Sequence, residues 1–116
     1  MVLSVTVYRA VFWLLLSVVS ILSLVAMPEP QLQLFIWQDK LYHGVIYGVL
    51  FALLVKAYAA RYGLLRLALG LVVFGLLVEI AQSFTSYRQP EVWDFIANSM
   101  GIFLVYLLVV TVAARR

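Results

Sequence analysis

Residues 64–84 read LLRLALGLVVFGLLVEIAQSF, an apolar run interrupted by Arg66 near its start and by Glu79 and Gln82 near its end. About 20 mainly apolar residues suffice for a helix to cross the ~30 Å hydrocarbon core of a bilayer, so this run reads as a transmembrane helix. Arg66 stands where its stem can reach the headgroups. Glu79 closes the apolar stretch 67–78. A lone carboxylate at such a place costs roughly 3 kcal/mol unless it is paired or faces water, and by default it marks function.

Three further stretches have the same character. One covers about 10–27, preceded by Arg9 and ended by Pro28-Glu29-Pro30; one covers about 41–58, with Lys56 able to snorkel; one covers about 92–114, closed by Arg115 and Arg116. The polar segment 83–91, with Pro90, reads as a tight connection or a short re-entrant turn. The expectation is an all-α polytopic membrane protein, a four-transmembrane-helix bundle forming a single domain over residues 1–116. The first stretch has the basic start of a signal peptide and Ala26 near a cleavage point. Its apolar run is longer than a signal core, however, and Pro28 follows almost directly, so it is expected to be retained.

Composition agrees. The chain is 66% hydrophobic and 11% charged, with a mean hydropathy of +1.10, where a soluble domain is nearer half apolar and a quarter charged. It has no cysteine, which excludes disulfides, thiolate metal sites and thiol redox chemistry. The formal charge of +3 does not point to nucleic acid, because the basic residues flank apolar segments and form no patch with interleaved aromatics. They divide unevenly. Arg9, Lys56, Arg61, Arg66, Arg115 and Arg116 fall on one side of the bilayer, Lys40 and Arg88 on the other. The bias of Lys and Arg toward the cytoplasm puts both termini inside. Glu29, Asp39, Glu79, Glu91 and Asp94 then fall toward the extracytoplasmic face.

The candidate site is the set Asp39-Lys40-x-x-His43, Glu79-x-x-Gln82, Arg88 and Asp94-x-x-x-Asn98. At 100° per residue, Asp39, Lys40, His43 and Tyr47 share about a quadrant of the second helix. Glu79, Gln82, Ser83 and Gly75 share a face of the third, and Asp94, Asn98 and Gly101 a face of the fourth, with Ala97 beside them. Small residues such as Gly75, Ala97 and Gly101 let helices approach where polar groups must meet. Helices two to four are expected to converge on a polar pocket, with the first as an apolar buttress.

Each residue also fits a structural role. Asp39 and Lys40 suit a helix cap and an interfacial anchor, and His43 an interhelical hydrogen bond. Tyr47, Trp37 and Trp93 suit packing or an aromatic belt. Gln82 suits support of Glu79, Arg88 a loop charge or a partner of Asp94, and Asn98 glue between helices. Three chemistries remain open. The ions pair among themselves; or Lys40 and Arg88 hold a lipid phosphate while Glu79 or His43 handles a proton; or His43 and two carboxylates bind a divalent ion. The last lacks a close-spaced ligand motif, so no metal or other cofactor is expected. No Ser-His-Asp order, P-loop or HExxH occurs.

With these residues in place, the chain resembles the VanZ-like family of small bacterial membrane proteins. The matching pattern is Asp39-Lys40-x-x-His43-x-x-x-Tyr47, then Glu79-x-x-Gln82-x5-Arg88-x5-Asp94-x-x-x-Asn98-x-x-Gly101. Where the family often has a second glycine a turn after Gly101, this chain has Val105, which predicts looser packing deeper in the fourth helix. The resemblance implies a multi-pass protein of the bacterial cytoplasmic membrane, and the family's founding member is associated with low-level teicoplanin resistance. The expected function is binding of a lipid or lipid-linked cell-wall precursor at the extracytoplasmic pocket, with no catalysis or at most weak catalysis; such binding could alter how glycopeptides reach their targets, although the resemblance does not by itself establish resistance for this chain. Two rivals stand beside it. One is an intramembrane enzyme acting on a lipid phosphate or glycolipid, with Glu79 or His43 as acid/base. The other is a proton-coupled transporter or flippase subunit, which with four spans would need a homodimer or an envelope protein partner.

The cysteine-free background makes the topology testable. A membrane-impermeant maleimide should label Arg88→Cys from outside intact cells and Arg61→Cys only after lysis. The reverse pattern would overturn the orientation.

Overall fold

The computed structural model of the chain describes residues 3–25, 37–85 and 92–115. They form four helices, α1 Val5–Leu24, α2 Gln38–Tyr58, α3 Leu64–Gln82 and α4 Val92–Ala114, with no strand among the described residues. At a rise of 1.5 Å per residue each is about 28–35 Å long, the thickness of the hydrocarbon core. All four are long and apolar enough to cross a membrane. Their outward faces carry large apolar side chains such as Leu14, Ile21, Val45, Leu69, Leu77, Phe103 and Leu108, a surface suited to lipid rather than water. The chain is an all-α, multi-pass membrane protein.

Helix starts differ from the expected ones for local reasons. α1 begins at Val5, not near residue 10, because the Ser4 side chain accepts a hydrogen bond from Val7 N at 3.2 Å and caps the first turn. Arg9 consequently lies inside the helix. Its Nε donates to Ala57 O at 3.1 Å and its guanidinium sits 4.6 Å from the centre of the Tyr58 ring, so the cation satisfies a carbonyl at the end of α2. Trp13 adds a hydrogen bond from Nε1 to Tyr58 Oη, 2.8 Å. α2 starts at Gln38, which places Asp39 and Lys40 in its first turn. α3 ends at Gln82, two residues short of the expected limit, in a turn. The expected end of the first span, the Pro28-Glu29-Pro30 breaker and most of the 83–91 connection lie outside the described residues.

Helix α2 is the hub, in contact with α1, α3 and α4 and closest to α4, which runs parallel to it. The two backbones nearly touch. A Cβ on Gly101 would collide with the Gly44 carbonyl oxygen and lie 2.8 Å from its carbon; a Cβ on Gly44 would lie 3.3 Å from Ala97 O. One turn deeper the expected loosening at Val105 does not occur. Gly48 stands opposite, where an added Cβ would be 3.3 Å from Val105 Cγ2 and 3.4 Å from Gly101 O. The valine fills space that the glycine on α2 leaves. Beyond this crossing Leu50, Phe51 and Ile102 are fully buried, with Phe51 stacked on Tyr106.

The alternating helix directions gather the ends of α1 and α3 with the starts of α2 and α4 at one end of the bundle. Replacing Gly101 by Ala should destabilise the protein by about 1–3 kcal/mol through overpacking. Gly70→Ala, where an added Cβ meets nothing within 4 Å, should leave the melting temperature in detergent unchanged or slightly raised.

Candidate functional site

Every expected site residue that the structure describes lies at that shared end: Asp39, Lys40 and His43 on α2, Glu79 and Gln82 on α3, Asp94 and Asn98 on α4. Arg88 lies outside the described residues. The crossing at Gly44 and Gly101 sets the register between α2 and α4, and one turn away from it the polar pairs follow. His43 Nδ1 is 3.2 Å from Asn98 Oδ1. Lys40 Nζ is 2.7 Å from Asp94 Oδ1 and 2.6 Å from Asp39 Oδ2. The Asp94 contact is an ion pair without hydrogen-bond alignment, and both its side chains are only 14% exposed. Asp94 Oδ2 is also 3.8 Å from His43 Nε2, a contact that becomes an ion pair when the imidazole is protonated.

The polar residues do two jobs. Lys40 and Asp94 tie α2 to α4, a role the sequence left divided among several partners. Gln82 was expected to support Glu79; its Nε2 instead donates to the Ser23 carbonyl of α1 at 2.8 Å. That bond fixes the orientation of the amide, since a carbonyl can only accept. Helix α1 is therefore more than an apolar buttress. Ser83 turns back to hydrogen-bond Ile80 O and stands exposed, apart from the group.

Between the four helices lies a cavity of about 190 Å³, bounded by Asp39, His43, Tyr47, Glu79, Gln82 and Asn98 on its polar side. Glu79, Gln82 and Asn98 are buried, as is Tyr47, which packs against Gly75; a Cβ there would lie 3.3 Å from the tyrosine ring. Val19, Leu22 and Ser23 of α1 complete the wall with Tyr42, Ile46 and Val78. That Leu22, Tyr42 and Ile46 line the cavity was not anticipated, because an apolar side chain in an apolar helix gives no sign of what it borders. A larger concavity of about 690 Å³ follows the outer face of α2 and α4 from Trp37 and Lys40 past Gly44, Gly48 and Gly101. It is an apolar trough left by the glycines. Lys40 borders this trough and not the polar cavity.

The cavity can hold a proton or a small polar group. His43 and Glu79 both border it and provide acid/base atoms. Among the described residues no three His, Cys, Asp or Glu side chains are grouped as a metal site. Comparison with protein-family models, curated proteins and solved structures finds no match to this chain.

Lys40 and Asp94 are both largely buried, so Lys40→Ala takes the Asp94 carboxylate's close cation away and should destabilise the protein by roughly 3–5 kcal/mol. Asp94→Ala leaves Lys40 its ion pair with Asp39 and should cost less. Thermal unfolding in detergent of the two single variants and the double variant should give a double variant less damaged than the sum of the singles, by about 0.5–3 kcal/mol.

Proposed function

We propose that this chain is a VanZ-like protein of the bacterial cytoplasmic membrane that binds a lipid or lipid-linked cell-wall precursor, seating part of the headgroup in the four-helix cavity at the extracytoplasmic face. The observation that carries this reading is the exposure of the residues that line the cavity. Leu22, Tyr42 and Ile46 border it and are 47%, 52% and 37% exposed. They lie on the membrane-crossing helices α1 and α2, so a ligand approaching past them comes from the lipid phase. The volume supports a headgroup fragment, being below the ~300 Å³ at which sites for drug-sized ligands begin. The acyl chains of such a ligand stay in the bilayer and need no pocket.

Occupation of this kind alters the presentation of lipid-linked precursors and so the access of glycopeptides to them, which is the link to teicoplanin resistance. Lys40 serves the reading less as a phosphate anchor than as a tie between helices, because its ammonium is engaged by two carboxylates. His43 and Glu79 are the groups that meet the ligand. Their shared wall is also what favours the rival reading, in which they act as acid and base on a lipid phosphate or glycolipid.

His43→Ala and Glu79→Gln should each reduce the lipid that co-purifies with the protein about tenfold, read by native mass spectrometry, with helical content unchanged by circular dichroism. Lipid recovery equal to wild type in both variants would refute the binding site. Turnover of an added lipid phosphate by wild type, abolished in Glu79→Gln with binding retained, would establish the enzyme instead.

A further inference from the structure

Gln82, a residue of the cavity wall, carries a hydrogen-bond acceptor that no described residue uses. Gln82 is 6% exposed and borders the cavity. Its Nε2 is committed to Ser23 O, and Oε1 is buried with no hydrogen bond from any described residue. The amide cannot be turned over to relieve this, because the Ser23 carbonyl would then face a second acceptor. A buried acceptor without a donor costs about 1–3 kcal/mol, a cost that a ligand donor at that position would remove.

The neighbours narrow the chemistry. Asp39 and Glu79 bring further carboxylate oxygens to the wall, while Tyr42, Tyr47 and Asn98 bring groups that donate. Among the described residues no lysine or arginine borders the cavity. A bare phosphate would offer acceptors to a wall that already has them. An ammonium has donors only, so it can use the acceptors on this wall and none of its donors. A hydroxyl both donates and accepts, and two tyrosine rings offer apolar faces to the C–H groups of a sugar or glycerol.

Resting on the lipid-binding reading above, we propose that the cavity recognises a hydroxyl-bearing headgroup, a glycosyl or glyceryl group, through donation of a hydroxyl proton to Gln82 Oε1. Gln82 is then a specificity residue of the site, and its contact with Ser23 is the device that aims it.

The test uses the full chain in phosphatidylcholine nanodiscs doped with a monoglycosyl diacylglycerol, a phosphatidylglycerol, a phosphatidylethanolamine or a phosphatidate, with occupancy read by native mass spectrometry. Wild type should prefer the glycosyl and glyceryl lipids. Gln82→Met should weaken those two by roughly 3–10-fold, the worth of one neutral hydrogen bond, and leave the other two unchanged. Gln82→Glu keeps an oxygen acceptor but loses the donor to Ser23 O that aims it, so it should also weaken the preference; full preference in a folded Gln82→Glu would overturn the aiming role, and a melting curve reports folding for both variants. Val19→Trp, placed to fill the cavity, should abolish the preference. If all four lipids bind alike and Val19→Trp removes them all, the cavity binds lipid and the hydroxyl specificity is wrong. If Val19→Trp changes nothing, the lipid-binding reading falls and this inference with it. Soluble methyl glucoside and glycerol distinguish the source. Neither should displace the glycolipid if the headgroup arrives from the bilayer; displacement by either would keep the hydroxyl chemistry and move its source to solution.

Discussion

The near-contact of two backbones at Gly44 and Gly101 governs the rest of this molecule. Helices in a bilayer gain little from burying apolar side chains against each other, since lipid is equally apolar, and close packing of small residues is what brings them together. Here α2 and α4 meet with no side chain between them. A parallel pair held so closely has little freedom to slide. Its register sets His43 beside Asn98 and Lys40 beside Asp94. A shift of one turn would part the largely buried Asp94 carboxylate from the Lys40 ammonium, so close packing and charge pairing reinforce a single arrangement.

That arrangement separates two demands on polar residues in a membrane. The Lys40–Asp94 pair and the Gln82–Ser23 bond connect helices, while His43, Glu79 and Asn98 face a small hollow with Tyr47. The opposite end of the bundle is organised differently. Arg9 reaches the Ala57 carbonyl near the end of α2 and the ring of Tyr58, so α1 is fastened to α2 at one end and to α3 at the other. Between those fastenings Val19, Leu22 and Ser23 line the hollow opposite Tyr42 and Ile46 of α2.

How much could be read beforehand follows from how each feature is encoded. Glu79, Asp94 and Asn98 were legible because polar side chains in apolar runs stand out, and the four spans were legible from length and hydropathy. The partners were not. Lys40 had Asp39 beside it and Asp94 far along the chain, and only the helix crossing shows that it engages both. Gly44 and Gly48 passed unnoticed as the surface against which Gly101 and Val105 pack, although their four-residue spacing on α2 was visible. The Ser23 carbonyl could not have been found at all, since every residue has one. The start of α1 was misplaced by reading Arg9 as a flank; a cation long enough to fold back over a neighbouring helix end need not lie outside its own.

The Lys40 ion pairs also bear on biogenesis. Ribosomal synthesis delivers α2 to the membrane well before α4, so when Lys40 first enters the translocation machinery Asp94 has not yet been made. The anion carried on its own helix is Asp39, the neighbouring residue, 2.6 Å away in the finished protein. Asp39 can therefore act as an escort that offsets the cation during threading and shares it with Asp94 once the last helix arrives, which gives a largely exposed carboxylate a purpose that the mature bundle alone would not reveal.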